Sequence, residues 1–350
     1  MVVTKTLRFR GLTKKVVVFL SILFVSSTTF GCDKKTTASN GVNIPMERYY
    51  LGRFSIAVPA EMHEAHGSRS HEIRREEITE IVWPERISHE KARESEWNKL
   101  MAEIKKLTPP KGKDKVIIRM RDFPDVGKWA KSSFYHASRS SRTATWAFLM
   151  DKGPVGVWIK NNPPVLVEAE NKSNNTINNT INIAKSYRVM DPNTPEPKGD
   201  WFYLKYGAIN LPYLWQEETD VRFEGHSLKL TLRIKMNMDG SYGIENQGLI
   251  EKSNALIDSG YAAMAQAKIK RIRSQKREVA GMLGEEVVDR LITKDKTELD
   301  FGWEYIGKED SGEYPTIRIT MESPDGSLDE KLKIWDAVLD SMKPMFERKK

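Results

Sequence analysis

Alternating apolar and polar residues predict strands with one buried face. In residues 228–236 every second residue is apolar, with Lys, Thr or Arg between them. Residues 301–305 and 317–321 show the same period of two, which predicts a strand pair that turns near Ser311 and Gly312. Apolar runs predict further strands at residues 116–120, 144–150 and 155–159, the last two joined as a hairpin through residues 151–153.

Apolar residues spaced three and four positions apart predict helices. Residues 87–107 carry such a stripe and are stopped by a Pro-Pro pair. The same spacing occurs in residues 171–184, which are rich in asparagine, and in residues 253–273, which are rich in alanine and close with four cations that suit the helix dipole. A capping box at residues 327–330 predicts the start of a final helix. Its predicted buried face consists of Leu328, Leu332, Trp335, Leu339 and Met342.

Residues 191–200 divide the chain, because this stretch holds three prolines and a glycine in ten residues. Proline fixes φ and donates no hydrogen bond, so neither helix nor sheet continues through this linker. The flanking segments begin alike, with Tyr, Leu, Ile and Pro matched between residues 50–59 and 203–212. The predicted fold class is α+β, with two similar domains that each pack two helices on an antiparallel sheet. These domains are residues 47–190 and 201–345.

The N-terminus has the pattern of an export signal. Five basic residues precede the apolar run of residues 16–25, which as a helix would span roughly 15 Å, about half a bilayer. Cys32, the only cysteine, follows this run in a context that resembles a bacterial lipobox. The sequence therefore predicts a lipoprotein signal peptide over residues 1–31, lipidation of Cys32 and a flexible tether over residues 32–46. A secreted protein with a free thiol is the alternative.

These features predict a periplasmic protein that is anchored to a membrane by lipid. Asp33 resembles the inner-membrane retention signal of enteric bacteria, which favours the inner membrane. The full chain has 56 basic and 48 acidic residues, but the five basic residues of the leader have no acidic counterparts, so its removal lowers the net charge from +8 to +3. This small excess argues against nucleic acid as a partner.

Motifs for catalysis are scarce. No serine lies in a G-x-S-x-G frame, and neither a Walker A loop nor a G-x-G-x-x-G motif occurs. His63, His66 and His71 lie near two glutamates and are the candidate ligands if a metal binds. Their spacing differs from H-E-x-x-H, and a solvated loop is the alternative. The sequence therefore predicts no catalytic residue, no cofactor and no metal.

Aromatic residues crowd into residues 201–215, directly after the linker. Such residues are enriched at protein interfaces, although alternation into a core accounts for part of them. Tyr206, Tyr213 and Trp215 are the candidate contact residues for a protein partner. The charged run of residues 72–80 is predicted to be a solvated face.

Four short motifs, taken in chain order, resemble those of a known family. They are Gly52-Arg53-Phe54 with Val58-Pro59, Gly281-x-x-Gly284-Glu285-Glu286, Phe301-x-Trp303-Glu304, and Leu332-x-x-Trp335-Asp336-x-x-Leu339-Asp340-Ser341. Over about residues 47–343 the chain resembles the immunity proteins that neutralise type VI secretion lipase effectors, a periplasmic family with two domains. The motif residues themselves have the character of turn and core residues.

This resemblance implies a protein that is not an enzyme. Its two lobes would grip an α/β-hydrolase phospholipase effector, block substrate entry and so protect the producing cell. Two other hypotheses stay open at this point. One is a lipid-anchored periplasmic hydrolase that uses a metal held by the histidines, and the other is a non-catalytic lipoprotein that scaffolds the envelope.

Overall fold

The computed structural model describes residues 44–139, 144–162, 169–190, 199–213, 216–237, 247–258, 267–308 and 311–348. Cys32, the predicted signal peptide and Trp215 lie outside the described residues. Residues 44–350 form a compact unit of their own. Within the described ranges, no helix is long and apolar enough to cross a membrane.

Antiparallel strands are the commonest element among the described residues, and four helices accompany them, so the predicted α+β class is confirmed. The helices are α1 (His89–Lys105), α2 (Ala169–Ser186), α3 (Leu249–Asp258) and α4 (Leu328–Ser341). The strands of the N-terminal half, residues 44–190, are β1 (Met46–Leu51), β2 (Phe54–Pro59), β3 (His63–Glu64), β4 (Ser70–Ile73), β5 (Glu76–Val82), β6 (Ile117–Asp122), β7 (Ala130–Tyr135), β8 (Thr145–Asp151), β9 (Val155–Asn161) and β10 (Tyr187–Val189). Those of the C-terminal half, residues 199–348, are β11 (Trp201–Tyr203), β12 (Gly207–Asn210), β13 (Glu217–Glu224), β14 (Thr231–Asn237), β15 (Lys268–Val279), β16 (Met282–Ile292), β17 (Thr297–Tyr305), β18 (Thr316–Pro324) and β19 (Lys343–Pro344).

One sheet of thirteen described strands runs through both halves. Its order is β15-β16-β17-β18-β14-β13-β4-β5-β9-β8-β7-β6, with β3 also paired to β13. The halves join where β4 pairs with β13, with Ile73 opposite Glu217. Two three-stranded sheets, β1-β2-β19 and β10-β12-β11, lie outside this large sheet. The first strands of the chain therefore pair with its last.

The two segments that begin alike in sequence both form hairpins, and each hairpin packs on the opposite half. Leu51, Phe54, Ile56 and Val58 of the β1–β2 hairpin are fully buried in a core shared with β13 to β18 and α4. The β11–β12 hairpin does the reverse, since its residues lie in the core between the N-terminal sheet and α2. The residues it contributes are Phe202, Leu204 and Ile209. The sequence similarity thus marks two elements that are exchanged between the halves.

A buried ion pair fastens the β1–β2 turn to the C-terminal half. Arg53 donates through Nε and Nη2 to the two carboxylate oxygens of Glu217, at 2.8 and 2.6 Å, and through Nη1 to the carbonyl oxygen of Asp200 at 2.7 Å. Beside it, Gly52 and Tyr203 exchange backbone hydrogen bonds of 3.0 and 2.6 Å. Both charges are almost wholly buried, so each depends on the other for its stability.

The turn between β15 and β16 confirms the prediction of a tight turn at Gly281. Ala280 and Gly281 both have a positive φ, as a two-residue hairpin turn requires. Three residues later, a Cβ on Gly284 would lie 2.7 Å from the ring of Trp303, so glycine lets that fully buried ring pack against the strand. Trp335 is fully buried as well. The motif residues thus have the structural roles that the resemblance implied.

The helix predicted over residues 253–273 is wrong in its second part. Helix α3 ends at Asp258, and the cations Lys268, Lys270, Arg271 and Arg273 lie on strand β15. Pairing with β16 brings two of these cations to carboxylates on that strand, because Arg271 Nε lies 2.5 Å from Asp289 Oδ1 and Arg273 Nη1 lies 2.9 Å from Glu286 Oε1. Long-range pairing therefore overrides the helical spacing of this segment.

Two local predictions also need correction. Ser327 has a left-handed backbone and its side chain makes no capping bond, so the predicted capping box does not form, although helix α4 starts where expected. Residues 72–80 are not simply a solvated face, because Glu76 is fully buried and Glu80 points into the cleft described below. The hairpin predicted at residues 144–159 is confirmed by the pairing of β8 with β9.

The two halves cover their sheets differently. In the N-terminal half α1 packs on one face through a cluster that includes Trp97, Trp129 and Trp158, and α2 with the β11–β12 hairpin covers the other face. In the described part of the C-terminal half, α4 and the β1–β2 hairpin cover one face. The opposite face, called the open face here, is lined by Arg222, Thr231, Arg233, Lys235 and Arg318, and α3 beside it fully buries none of its residues.

Candidate functional site

A cavity of about 450 Å³ opens where the two halves meet. Three segments line it: the loop and strand of residues 64–71, the end of β5, and the turn of residues 204–206. The turn belongs to the exchanged β11–β12 hairpin, so both halves of the chain contribute to the walls. Val82 and Tyr206 lie at the cavity with 49% and 36% of their surface exposed. We call this cavity the cleft.

Opposite charges are paired along one wall of the cleft. Arg69 donates to both carboxylate oxygens of Glu64, and Lys205 Nζ lies 3.2 Å from the same carboxylate. Burial of Glu64 raises the pKa of its carboxyl, but the hydrogen bonds and charges of Arg69 and Lys205 outweigh that effect, so the pKa is lowered overall. The carboxylate thus stays ionised between two cations and links residues that are far apart in sequence.

Glu80 holds the turn that carries Tyr206. Its carboxylate accepts hydrogen bonds from the backbone N–H groups of Lys205 and Tyr206, at 2.9 and 2.8 Å, and from the Tyr187 hydroxyl at 2.6 Å. Burial raises the pKa of the Glu80 carboxyl, and these donors work in the opposite direction. Because one side chain binds two consecutive amides, the position of Tyr206 is fixed by strand β5.

His71 is buried in the wall of the cleft, and both of its ring nitrogens have polar neighbours. Its Nδ1 lies 3.1 Å from Thr219 Oγ1, and its Nε2 lies 3.3 Å from the guanidinium of Arg69. Since a guanidinium can only donate, Nε2 accepts and Nδ1–H donates to the threonine. Burial lowers the pKa of His71 well below its usual value, and the charge of Arg69 lowers it further. The ring is therefore neutral and both nitrogens are engaged.

The candidate ligands His63 and His66 do not converge with His71. Both are exposed, and the ring of His63 lies against Gly225, where a Cβ would come within 2.5 Å of it. No group of three or more His, Cys, Asp or Glu among the described residues is arranged to hold a metal. The Arg69 cation at His71 would also repel a metal ion there. This geometry offers no support for the metal-dependent hydrolase hypothesis.

The three candidate contact residues fall in different places. Tyr206 lies at the cleft, with Lys205 Nζ 5.5 Å from the centre of its ring. Tyr213 is partly buried against the C-terminal core, where its ring packs on Gly312 and under the guanidinium of Arg53 at 5.9 Å. Trp215 lies outside the described residues. Of the two candidates that the structure describes, Tyr206 lies at the cleft and Tyr213 does not.

Sequence reasoning missed Arg69, Glu80 and Val82, which build the cleft with Tyr206. Glu76, Ile78 and Glu80 point to one face of β5. The alternation of residues around Ile78 and Val82 is typical of a strand, but the high charge of the segment obscured this pattern. The partners of Glu80 stand more than 100 residues away in the chain. Local patterns do not reveal such contacts.

Comparison with known proteins finds a family model that matches part of the chain. Residues 197–345 match the family model of the Tle cognate immunity protein 4 C-terminal domain. No curated protein matches the chain by sequence.

Solved structures share the fold over most of the chain. The apo immunity protein TplEi of the type VI secretion system from Pseudomonas aeruginosa matches with a TM-score of 0.67 and 18% identity, over 86% of this chain and 97% of that chain. A chain in the crystal structure of the Tle4–Tli4 complex matches with a TM-score of 0.69 and 18% identity, again over 86% of this chain and 97% of that chain. TplEi bound to an "L" peptide matches with a TM-score of 0.64 and 16% identity, over 86% of this chain and 98% of that chain.

Proposed function

We propose that this chain, whose residues 197–345 match the C-terminal domain model of Tle cognate immunity protein 4, binds and inhibits a type VI secretion phospholipase effector. The match of residues 197–345 to that family carries the proposal. The chain acts by binding and not by catalysis, and the producing cell is thereby protected from intoxication by itself or its kin. The fold that the chain shares with one partner of the Tle4–Tli4 complex supports this role.

The cleft is the surface proposed to contact the effector. Protein interfaces concentrate their binding energy in a few exposed aromatic or apolar residues that charged residues surround. Val82 and Tyr206 provide such residues, and Glu64, Arg69 and Lys205 surround them. Because β5 and the turn at residue 206 are fixed by the Glu80 hydrogen bonds, this patch is already ordered before it meets a partner. Contact at the cleft would let the two halves block the entrance to the lipase active site.

Co-expression with the lipase encoded beside its gene tests the proposal. We expect the wild-type chain to restore growth and to abolish lipase activity in vitro. Tyr206→Glu combined with Val82→Glu should weaken the complex by at least about 100-fold, since two central anchors are lost. The matched control is Leu283→Glu, which changes another exposed apolar residue, 62% exposed, on strand β16. Unchanged lipase activity with the wild-type protein would instead favour an envelope scaffold.

Two similar domains, residues 47–190 and 201–345 with a linker at 191–200, are also part of our proposal. Each half contributes one hairpin to a three-stranded sheet, and in each such sheet the hairpin pairs with a strand that directly follows a helix, β10 after α2 and β19 after α4. This correspondence supports a duplication in which the hairpins were exchanged. Thermal unfolding, followed by a separate probe in each half, tests the exchange of hairpins. Because each hairpin packs on the opposite half, we expect both halves to melt together.

We further propose that the protein is a periplasmic lipoprotein, anchored through Cys32 and retained by the inner membrane as Asp33 suggests. The basic residues, the apolar run and the lone cysteine of the leader support this localisation. Cys32→Ser should prevent acylation, and the protein should move from the membrane fraction to the soluble periplasm or stay uncleaved. A membrane fraction unchanged by this substitution would contradict the anchor.

A further inference from the structure

A strongly basic surface lies at the edge of the N-terminal half, where β9, β8 and β7 separate it from strand β5 of the cleft. It comprises the end of α1, the following loop and edge strand β6, and we call it the basic edge. Seven exposed cations fall within residues 105–121, where Asp114 is the only acidic residue, and the exposed Asp122 ends strand β6. They are Lys105, Lys106, Lys111, Lys113, Lys115, Arg119 and Arg121.

These cations differ from the arginines that the fold engages in ion pairs. Ion pairs bind Arg53, Arg69, Arg233, Arg273 and Arg277 to acidic side chains. Among the described residues, no ion pair involves any of the seven cations of the basic edge. Six of these charges therefore face solvent, while the guanidinium of Arg121 lies 5.0 Å from the ring centre of Phe123 and its charge helps to lower the pKa of Asp125.

The basic edge also exposes apolar side chains. Ile118 and Met120 on β6 are 42% and 49% exposed. The surface is nevertheless held firmly, because Leu107, Val116 and Ile117 pack against the tryptophan cluster under α1. Cations on an edge strand protect it from pairing with other chains, which accounts for Arg119 and Arg121. That explanation does not extend to the five lysines that precede the strand.

We propose that the basic edge docks on an anionic phospholipid surface. Clusters of cations next to a membrane bind acidic headgroups, and aliphatic side chains among them enter the interface. Five of the seven cations are lysines, whose compact charge suits many loosely placed headgroups, whereas recognition of a defined carboxylate favours the planar fork of arginine. The charge and the exposed aliphatic residues thus favour a lipid surface over an acidic protein. The proposal goes beyond the immunity role and its test needs no lipase.

Sedimentation with lipid vesicles tests the docking surface. The compact unit of residues 44–350 is used, so that no leader or acyl chain contributes. We expect binding to vesicles that contain phosphatidylglycerol, and little binding to vesicles of phosphatidylcholine alone. Each lysine at an anionic surface strengthens binding by about fivefold, so the triple variant Lys111→Gln, Lys113→Gln, Lys115→Gln should bind about 100-fold more weakly. Raising the salt to about 1 M should have a similar effect, because the charges are then screened within about 3 Å.

The opposite edge of the sheet provides a matched control. Lys268, Lys270 and Lys276 are exposed on edge strand β15, and their change to Gln removes the same charge. We expect the affinity of this control for anionic vesicles to fall by less than about fivefold. The affinity of the double variant Ile118→Ser, Met120→Ser should fall by about tenfold.

Three results would overturn the assignment. They are absence of binding to anionic vesicles, equal losses in the two lysine variants, and binding of polyglutamate to the basic edge when the vesicles do not bind. The last result would identify the occupant as an acidic protein.

Discussion

The N-terminal half buries both faces of its sheet, whereas the C-terminal half leaves its open face to charged residues and a loosely packed helix. Under α1, Trp97 stacks on Trp158 and meets the edge of Trp129, with ring centres 6.3 Å apart in both pairs. Helix α3 instead exposes Leu256 by 46%. The comparison shows that one sheet can serve as a rigid interior in one half and as an accessible surface in the other.

Separation of the halves is expected to have the largest effect on the fold. Residues 197–348 alone lack Leu51, Phe54, Ile56 and Val58, which together fill the C-terminal core. Burial of four such side chains contributes roughly 6–12 kcal/mol, comparable to the whole stability of a domain. We therefore expect no cooperative thermal transition by circular dichroism, and recovery of one when residues 44–62 are joined to this fragment. Equal melting of the two fragments would show that the exchanged hairpin is dispensable.

Truncation of the central tryptophan of α1 should show how differently the two helices are held. Trp97→Ala should lower the free energy of unfolding by about 3–5 kcal/mol, because the large buried ring leaves a cavity. The counterpart Leu256→Ala on α3 should cost less than about 1 kcal/mol, since that side chain is largely exposed. Urea denaturation measures both. Similar losses would mean that α3 is packed as firmly as α1.

The covered half also predicts a pH dependence. Glu76 is fully buried and accepts a hydrogen bond of 3.1 Å from Thr180, and burial raises its pKa to about 8. A raised pKa means that the folded state prefers the protonated acid, so this group costs stability as the pH rises from about 4.5 to about 8. Glu76→Gln should therefore raise the melting temperature at pH 8 and leave it nearly unchanged at pH 4. The corresponding gain in the free energy of unfolding at pH 8 is a few kcal/mol, at about 1.4 kcal/mol for each unit by which the pKa is raised.

A result of the opposite sign would contradict this interpretation. If Glu76→Gln lowered stability at pH 8, the carboxylate would have to be ionised and stabilised in the folded state. The matched control is Glu77→Gln, because Glu77 is the exposed neighbour on the same strand. We expect that variant to change the melting temperature little at either pH.

The smallest effect is expected on the open face. Arg233 donates to both carboxylate oxygens of Asp220, at 2.9 and 2.5 Å, but the arginine is more than half exposed. Asp220→Asn should therefore change the free energy of unfolding by less than about 1 kcal/mol, and salt should reduce even that difference. A double-mutant cycle with Arg233→Met isolates the pair. A coupling above about 2 kcal/mol would show that this face is not solvated.

Sequence patterns predicted elements that depend on local spacing. The alternation at residues 301–305 and 317–321 gave the β17–β18 pair, and the apolar stripe of residues 87–107 gave α1. What the patterns missed depends on distant partners. Glu76 and Glu80 look like surface charges until Thr180, Tyr187 and the turn at residue 206 are brought to them. A segment of alternating cations became β15 for the same reason.

For the candidate site, the sequence identified Tyr206 and its neighbourhood but not the cleft. Aromatic crowding after the linker pointed to a segment that includes the turn lining the cleft, and His66 and His71, which also line it, were noticed for a different chemistry. The exchange of hairpins could not be predicted, because residues 50–59 and 203–212 show only that they are alike, and not on which half each one packs. That choice is decided by the tertiary packing of both halves.

The pairing of β2 with β19 sets an order of events during synthesis. Ser55 and Lys343 are opposite each other in that sheet, although almost 290 residues separate them. The first hairpin to leave the ribosome must therefore wait for the last residues of the chain before its strands are covered. Contacts so distant in sequence form slowly, and the chain is complete before its core can close. A polypeptide that cannot finish folding early stays threadable, which would suit the export that we propose for this protein.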